Sequence, residues 1–166
     1  MPIIVNKLGE HKNEDAVTRL TYYMASSKYL GNYGGRGIMV LNEAAIIDSF
    51  NWVKMMYDKN DRKLVNHFII GSQNEGITPA QLYYIAESAA QYFYEQGYQN
   101  FYVIHKGSQE NPKYYHIHLA VNTVNFLTGN RLYENYGVVS GLRKALETEY
   151  PEYSWSSIND SRKDWE

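Results

Sequence analysis

A chain of 166 residues suits one domain with a substantial core, and its 44% hydrophobic and 20% charged residues are ordinary for a globular protein. The absence of cysteine excludes disulfides and thiolate metal sites and suits a reducing cytoplasm. No apolar run approaches a membrane span, the opening "MPIIVNKLGEHKNEDA" lacks the order of a signal peptide, and a net charge of −2 excludes a global basic field for nucleic acid.

"MPIIV" reads as a short first strand. Asp15 is placed to cap a helix running to about Met24, with Ala16, Leu20 and Tyr23 at helical spacing. "SSKYLGNYGGRG" mixes Lys28 and Arg36 with Tyr29, Tyr33 and four glycines. Read by itself it is a glycine-rich surface turn first, and second a local patch offering cations and stacking rings to nucleic acid. Asn42 precedes a second helix, Glu43 to about Tyr57, with Ile46, Phe50 and Val53 on one stripe. "LVNHFIIGS" has the β-branched and aromatic content of a central strand, where His67 reads as structural, and His11 reads as a surface residue.

Thr78 and Pro79 open a third helix whose apolar face is Leu82, Ile85, Ala86, Ala89, Ala90 and Phe93, and Gly97 ends it. "NFYVIH" and "YYHIHLAVNTVN" read as two strands around the loop "KGSQENPK"; "LTGNRLY" reads as a hairpin turn with a return strand, and Gly137 to Glu149 as helix. Strands joined by short loops favour antiparallel pairing. The expected fold is α+β, a central antiparallel sheet with helices packed on one face. Residues 1–155 are expected to form the domain. Residues 156–166, without periodicity, read as a tail or as a truncated linker to a missing C-terminal region.

Alternation sends His116, His118, Ala120 and Asn122 to one face of their strand, and Ile117, Leu119 and Val121 to the other. The second set is a core face, whereas the first resembles the floor of a site. His105 ends the preceding strand, and an odd-sum hairpin register sets it opposite His116 or His118. Three neutral imidazoles converging without a fourth protein ligand make an open metal site, with free positions for a substrate oxygen or water. Each ring needs an acceptor for its other nitrogen, and the sequence assigns none.

His116-Ile117-His118 resembles the His-hydrophobic-His pair of the HUH endonucleases. The longer run "HIHLAVNTVNFLTGNRL" is similar to the histidine motif of plasmid mobilisation relaxases, "RLTYYMASSK" to their N-terminal tyrosine motif, and "HFIIGSQNEGITPAQ" to their strand, acidic turn and helix. The likeness runs from Arg19 to Glu149 in the family's order. Two features depart from it: "HKGS" lacks an acidic residue after the first histidine, and Tyr114 stands where many relatives carry a further histidine. The chain is also shorter and less basic than many relaxases, as a natural minimal form or a trimmed one would be.

The resemblance implies a relaxase-like fold and a metal-dependent, site- and strand-specific transesterification at an origin of transfer. A tyrosine would attack one strand to leave a 5′-phosphotyrosine and a free 3′-hydroxyl, which can later rejoin, initiating conjugative mobilisation of a plasmid or integrative element. It implies a divalent ion, Mg²⁺ or Mn²⁺, on His105, His116 and His118. Its partners would be single-stranded DNA, with an adjacent hairpin, and accessory relaxosome proteins. The catalytic tyrosine is Tyr23 or Tyr22, and the motif alignment, with Met24 and Lys28 following, favours Tyr23. Asn122 is expected to hold a histidine ring or a phosphate oxygen, and Lys28, Tyr29, Tyr33 and Arg36 to contact DNA. Three alternatives stand beside this reading. A rolling-circle replication initiator or small HUH transposase would use a downstream tyrosine, among Tyr133, Tyr136, Tyr150 and Tyr153. A non-catalytic single-stranded DNA-binding module would keep the fold without cutting. A small metalloprotein would act on another phosphodiester.

Overall fold

A computed structural model describes residues 2–7, 13–25, 30–72, 77–107, 114–133 and 136–160. The elements run β1 (Pro2–Lys7), α1 (Ala16–Met24), β2 (Leu30–Arg36), α2 (Glu43–Met56), β3 (Val65–Ser72), α3 (Pro79–Glu95), β4 (Asn100–Lys106), β5 (Tyr115–Asn122), α4 (Tyr136–Glu149) and β6 (Ser156–Asp160). The strands form one six-stranded sheet, ordered β2-β4-β5-β3-β1-β6. All neighbours pair antiparallel except β1 and β6, which are parallel, so the α+β sheet is mixed at one edge.

Each face of the sheet buries a different apolar set. Ile117, Leu119 and Val121 of β5 join Phe68, Ile70, Tyr102 and Ile104 beneath α3 and α4. On the other face Val65, Phe101, Val103 and Ala120 meet Ala16, Val17, Leu20 and Met24 of α1 and Ile46 and Phe50 of α2. Helices therefore cover both faces, not the single face expected. The near-continuous burial of β3 and β5 shows why: strands covered on both sides need apolar residues at both parities.

Local chemistry accounts for the helix ends. The Thr78 hydroxyl accepts from the Gln81 backbone N–H at 3.2 Å while the Gln81 side chain accepts from the Thr78 N–H at 2.8 Å, a reciprocal cap on α3. Gly97, at φ +93°, ends α3 against the Asn125 side chain, where a Cβ would collide. Asn42 caps α2 through the Ala45 N–H at 2.9 Å. Asp15 makes no side-chain cap on α1.

Three expectations are corrected. The glycine-rich stretch is an edge strand from Leu30 onward: Gly34 lies over the Tyr102 hydroxyl and Gly35 against the Asn100 carbonyl, approaches that a side chain would block. After β5, which ends at Asn122, Val124 and Arg131 form an isolated bridge and not a return strand, because the Asn125 side chain closes the loop onto the N–H groups of Leu127 and Thr128. Residues 156–160 are no tail; they are β6, tied to β1 by parallel pairing, an Asn6–Asn159 side-chain bond and a buried Lys7–Asp160 pair at 3.9 Å. Residues 161–166 lie outside the described residues.

Candidate metal centre and active site

The β4–β5 register sets His105 directly opposite His116 and Val103 opposite His118. Directly paired residues project to the same face, and β5 alternation adds His118 to it. The ring centroids lie 4.5 Å (His105–His118), 4.8 Å (His116–His118) and 5.7 Å (His105–His116) apart. One nitrogen from each ring lies within 4.8 Å of the others, and the Nε2 atoms of His116 and His118 are 3.0 Å apart. Nitrogens bound about 2.1 Å from one cation sit roughly 3 Å apart, the spacing of the His116–His118 pair, and His105 completes a group of three donors that could hold a metal ion.

The electrostatics suit the same use. Burial, more than any neighbouring charge, pushes all three imidazoles toward the neutral form. His116 is held at about 4, with His105 as its second cause, and His118 lies well below the usual histidine value. A cation would meet lone pairs and displace no protons at neutral pH.

Two of the three second nitrogens have partners that sequence alone did not provide, while His116 Nδ1 is buried without a hydrogen-bond partner among the described residues. His105 Nε2 lies 2.8 Å from the Met24 carbonyl oxygen at the C-terminal end of α1, where helix carbonyls lack intrahelical donors. A carbonyl only accepts, so Nε2 carries the proton and Nδ1 is the bare nitrogen. His118 Nδ1 lies 2.9 Å from His67 Nε2, and those rings stack at 5.2 Å. Tyr114 stacks on His116, with ring centroids 5.1 Å apart, and its hydroxyl lies over Gly71, the β3 residue opposite His116. His67 is the member missed from sequence. Its signal was its parity in β3, legible only once β3 borders β5 and pairs His67 with Ala120.

The His105–Met24 bond brings the end of α1 to the histidines, and Tyr23 comes with it. The Tyr23 ring meets His118 edge-on at 5.4 Å and His105 at 6.0 Å, and stays 42% exposed. Tyr22 is 56% exposed and, among the described residues, makes no ring contact with a histidine. The helical spacing that grouped Tyr23 with Ala16 and Leu20 thus ends at the edge of the apolar cluster.

Other expected residues fall elsewhere. Asn122 is fully buried, accepts from Lys54 Nζ at 2.5 Å and donates to the Phe50 carbonyl and Gln99 Oε1. It braces β5 against α2, and among the described residues its side-chain hydrogen bonds go to Lys54, Phe50, Gln99 and Val124 and to no histidine ring. Tyr33 pairs with Val103, on the histidine face, and is exposed. Arg36 pairs with Asn100, projects to the opposite face, and is engaged by Glu87 and Gln91 of α3. Lys28, Tyr29 and His11 lie outside the described residues. Among the downstream tyrosines, Tyr150 and Tyr153 pack with the α3/α4 core, across the sheet from the histidines. Among the described residues no helix is long and apolar enough to cross a membrane.

A family model described as "Relaxase: MobA/VirD2-like, nuclease domain" matches residues 22–155, a span that includes Tyr23 and all of the clustered histidines. No curated protein matches the chain.

Proposed function

The chain belongs to the MobA/VirD2-like relaxase nuclease family, whose work is DNA nicking, and we propose that it cuts and rejoins one DNA strand at an origin of transfer with Tyr23 as nucleophile. The observation that carries this reading is the edge-on seating of the Tyr23 ring against two of the three converging histidines. His105, His116 and His118 would hold a divalent cation, Mg²⁺ or Mn²⁺. When bound, such an ion supplies Lewis-acid stabilisation of charge on a phosphate oxygen. Histidines alone do not choose between divalent ions.

The protein's own residues account for the rest. Tyr23 Oη forms a bond to phosphorus as the bond to the 3′-oxygen breaks, leaving a 5′-phosphotyrosine and a 3′-hydroxyl; the phenolic proton goes to solvent or to that leaving oxygen. A free phenol has a pKa near 10, so the attack gains from a site that stabilises the phenolate. His105 holds α1 by its final carbonyl, fixing where the phenol stands. The ester made is as energetic as the one broken, so the 3′-hydroxyl can reverse the step. Tyr33, exposed on the same face, and Lys28 and Tyr29, in the segment joining α1 to β2, are assigned to the single strand, its bases stacking on the tyrosine rings. Origin recognition beside a hairpin, accessory relaxosome proteins and mobilisation of a plasmid or integrative element complete the reading. Residues 1–160 are assigned to the nicking domain.

The test is incubation with a single-stranded origin oligonucleotide and Mn²⁺, followed by mass spectrometry of the DNA-linked peptide. Tyr23 is expected to carry the adduct. Tyr23→Phe is expected to lose it while retaining Mn²⁺ binding, and Tyr22→Phe to keep both. An adduct on Tyr150 would favour a downstream-tyrosine nuclease, and no adduct with any divalent ion would favour a DNA-binding module.

A further inference from the structure

His118 is completely buried, and its two ring nitrogens face two other imidazoles: Nε2 lies 3.0 Å from His116 Nε2, and Nδ1 lies 2.9 Å from His67 Nε2. A neutral imidazole has one N–H to place. On Nε2, the proton would bridge to His116 and occupy the nitrogens that a cation needs. On Nδ1, it would point at His67 and leave Nε2 bare. The geometry offers the proton two acceptors at nearly equal distance, and only one choice opens the metal site.

We propose that His67 is a positioning residue that draws the His118 proton to Nδ1 and so turns the His118 Nε2 lone pair toward the metal centre. The idea rests on the reading of His105, His116 and His118 as metal ligands. To accept, His67 Nε2 must itself be bare, so His67 takes the Nδ1–H form.

Ligating histidines generally have their second nitrogen fixed by a carboxylate, a carbonyl or water. Here a carbonyl serves His105, and a neutral imidazole serves His118. The choice has an electrostatic consequence. A carboxylate behind His118 would subtract a unit of charge close to the cation, whereas His67 leaves its full double charge to act on a phosphate.

The experiment uses the 166-residue chain, metal-free and with ¹⁵N-labelled histidine. Long-range ¹H–¹⁵N spectra read the His118 tautomer in the parent protein, in His67→Leu, which offers no acceptor, and in His67→Gln, which offers an amide oxygen. Mn²⁺ affinity is followed by electron paramagnetic resonance, and circular dichroism reports folding. The parent is expected to show His118 as Nδ1–H. His67→Leu should move the proton to Nε2 and weaken Mn²⁺ binding by about 10–100-fold, and His67→Gln should restore both.

An Nε2–H signal for His118 in the parent overturns the proposal without any variant, as does a folded His67→Leu protein with parental tautomer and affinity. Should His67→Leu fail to fold, the parent spectrum and the Gln variant decide. A parent that binds no Mn²⁺ refutes the metal reading instead, while the metal-free spectra still report where His67 sends the proton.

Discussion

Lys54 occupies a fully buried position on α2, donates to Asn122, and has its pKa lowered to about 7, chiefly by burial and then by Arg131. In the unfolded chain it keeps its proton to near the ordinary lysine value of 10.5. Between pH 7 and 10 the unfolded state therefore binds more protons, and Lys54 makes stability climb with pH, by up to about 1.4 kcal/mol per unit. Urea denaturation at pH 7, 8 and 9 should show this rise in the parent and a flatter profile in Lys54→Met; parallel profiles would refute it. The burial of Lys54 also shows where sequence reading stops for single residues. Strand alternation correctly groups His116, His118, Ala120 and Asn122 on one face, and register parity adds His105. Parity does not say what covers each position. Asn122 lies under α2 with Lys54, while His118 lies against Tyr23 at the end of α1. His67 needed more again: the identity of the strand next to β5, which is a property of the sheet and not of the segment "VNHFIIG".

Elements were legible in proportion to how far they are determined by their own residues. α3 carries a reciprocal cap, a proline in its first turn, a six-residue apolar face and a terminating glycine, all local features, and it forms where they place it. β2 and β6 are edge strands whose pairing rests on a distant partner. Gly34 and Gly35 signal a turn until Tyr102 and the Asn100 carbonyl are known to lie against them. The local determination of α3 has a measurable consequence. Thr78→Ala removes a hydroxyl acceptor from the helix start and should lower stability by about 1 kcal/mol. Because α3 lies across the sheet from the histidines, Mn²⁺ affinity should be unchanged. A loss of affinity beyond the loss of folded protein would mean that α3 supports the metal centre through the sheet.

At the scale of the molecule, the sheet separates two tasks. One face is packed by α3 and α4; the other is shared between the cover of α1 and α2 and the histidine floor, with the end of α1 at their junction. This division rests on a sheet wide enough to support the histidines from both sides. β5 lies between β4 and β3, β3 leans on β1, and β1 on β6. Removing β6 exposes the outer edge of β1 and leaves Lys7, 1% exposed, without the Asp160 carboxylate 3.9 Å away. Removing one partner of a buried ion pair costs about 3–5 kcal/mol, a large share of the stability of a domain this size. Asp160→Ala should therefore lower the urea midpoint strongly, and a chain ended after Trp155 should lose more, since it also loses the backbone pairing and the Asn6–Asn159 bond. The metal donors come from β4 and β5, in the middle of the sheet, so the folded fraction of Asp160→Ala should bind Mn²⁺ as the parent does. If both changes leave the midpoint in place, β6 contributes nothing to the domain, and its boundary moves back to Trp155, where the family match ends.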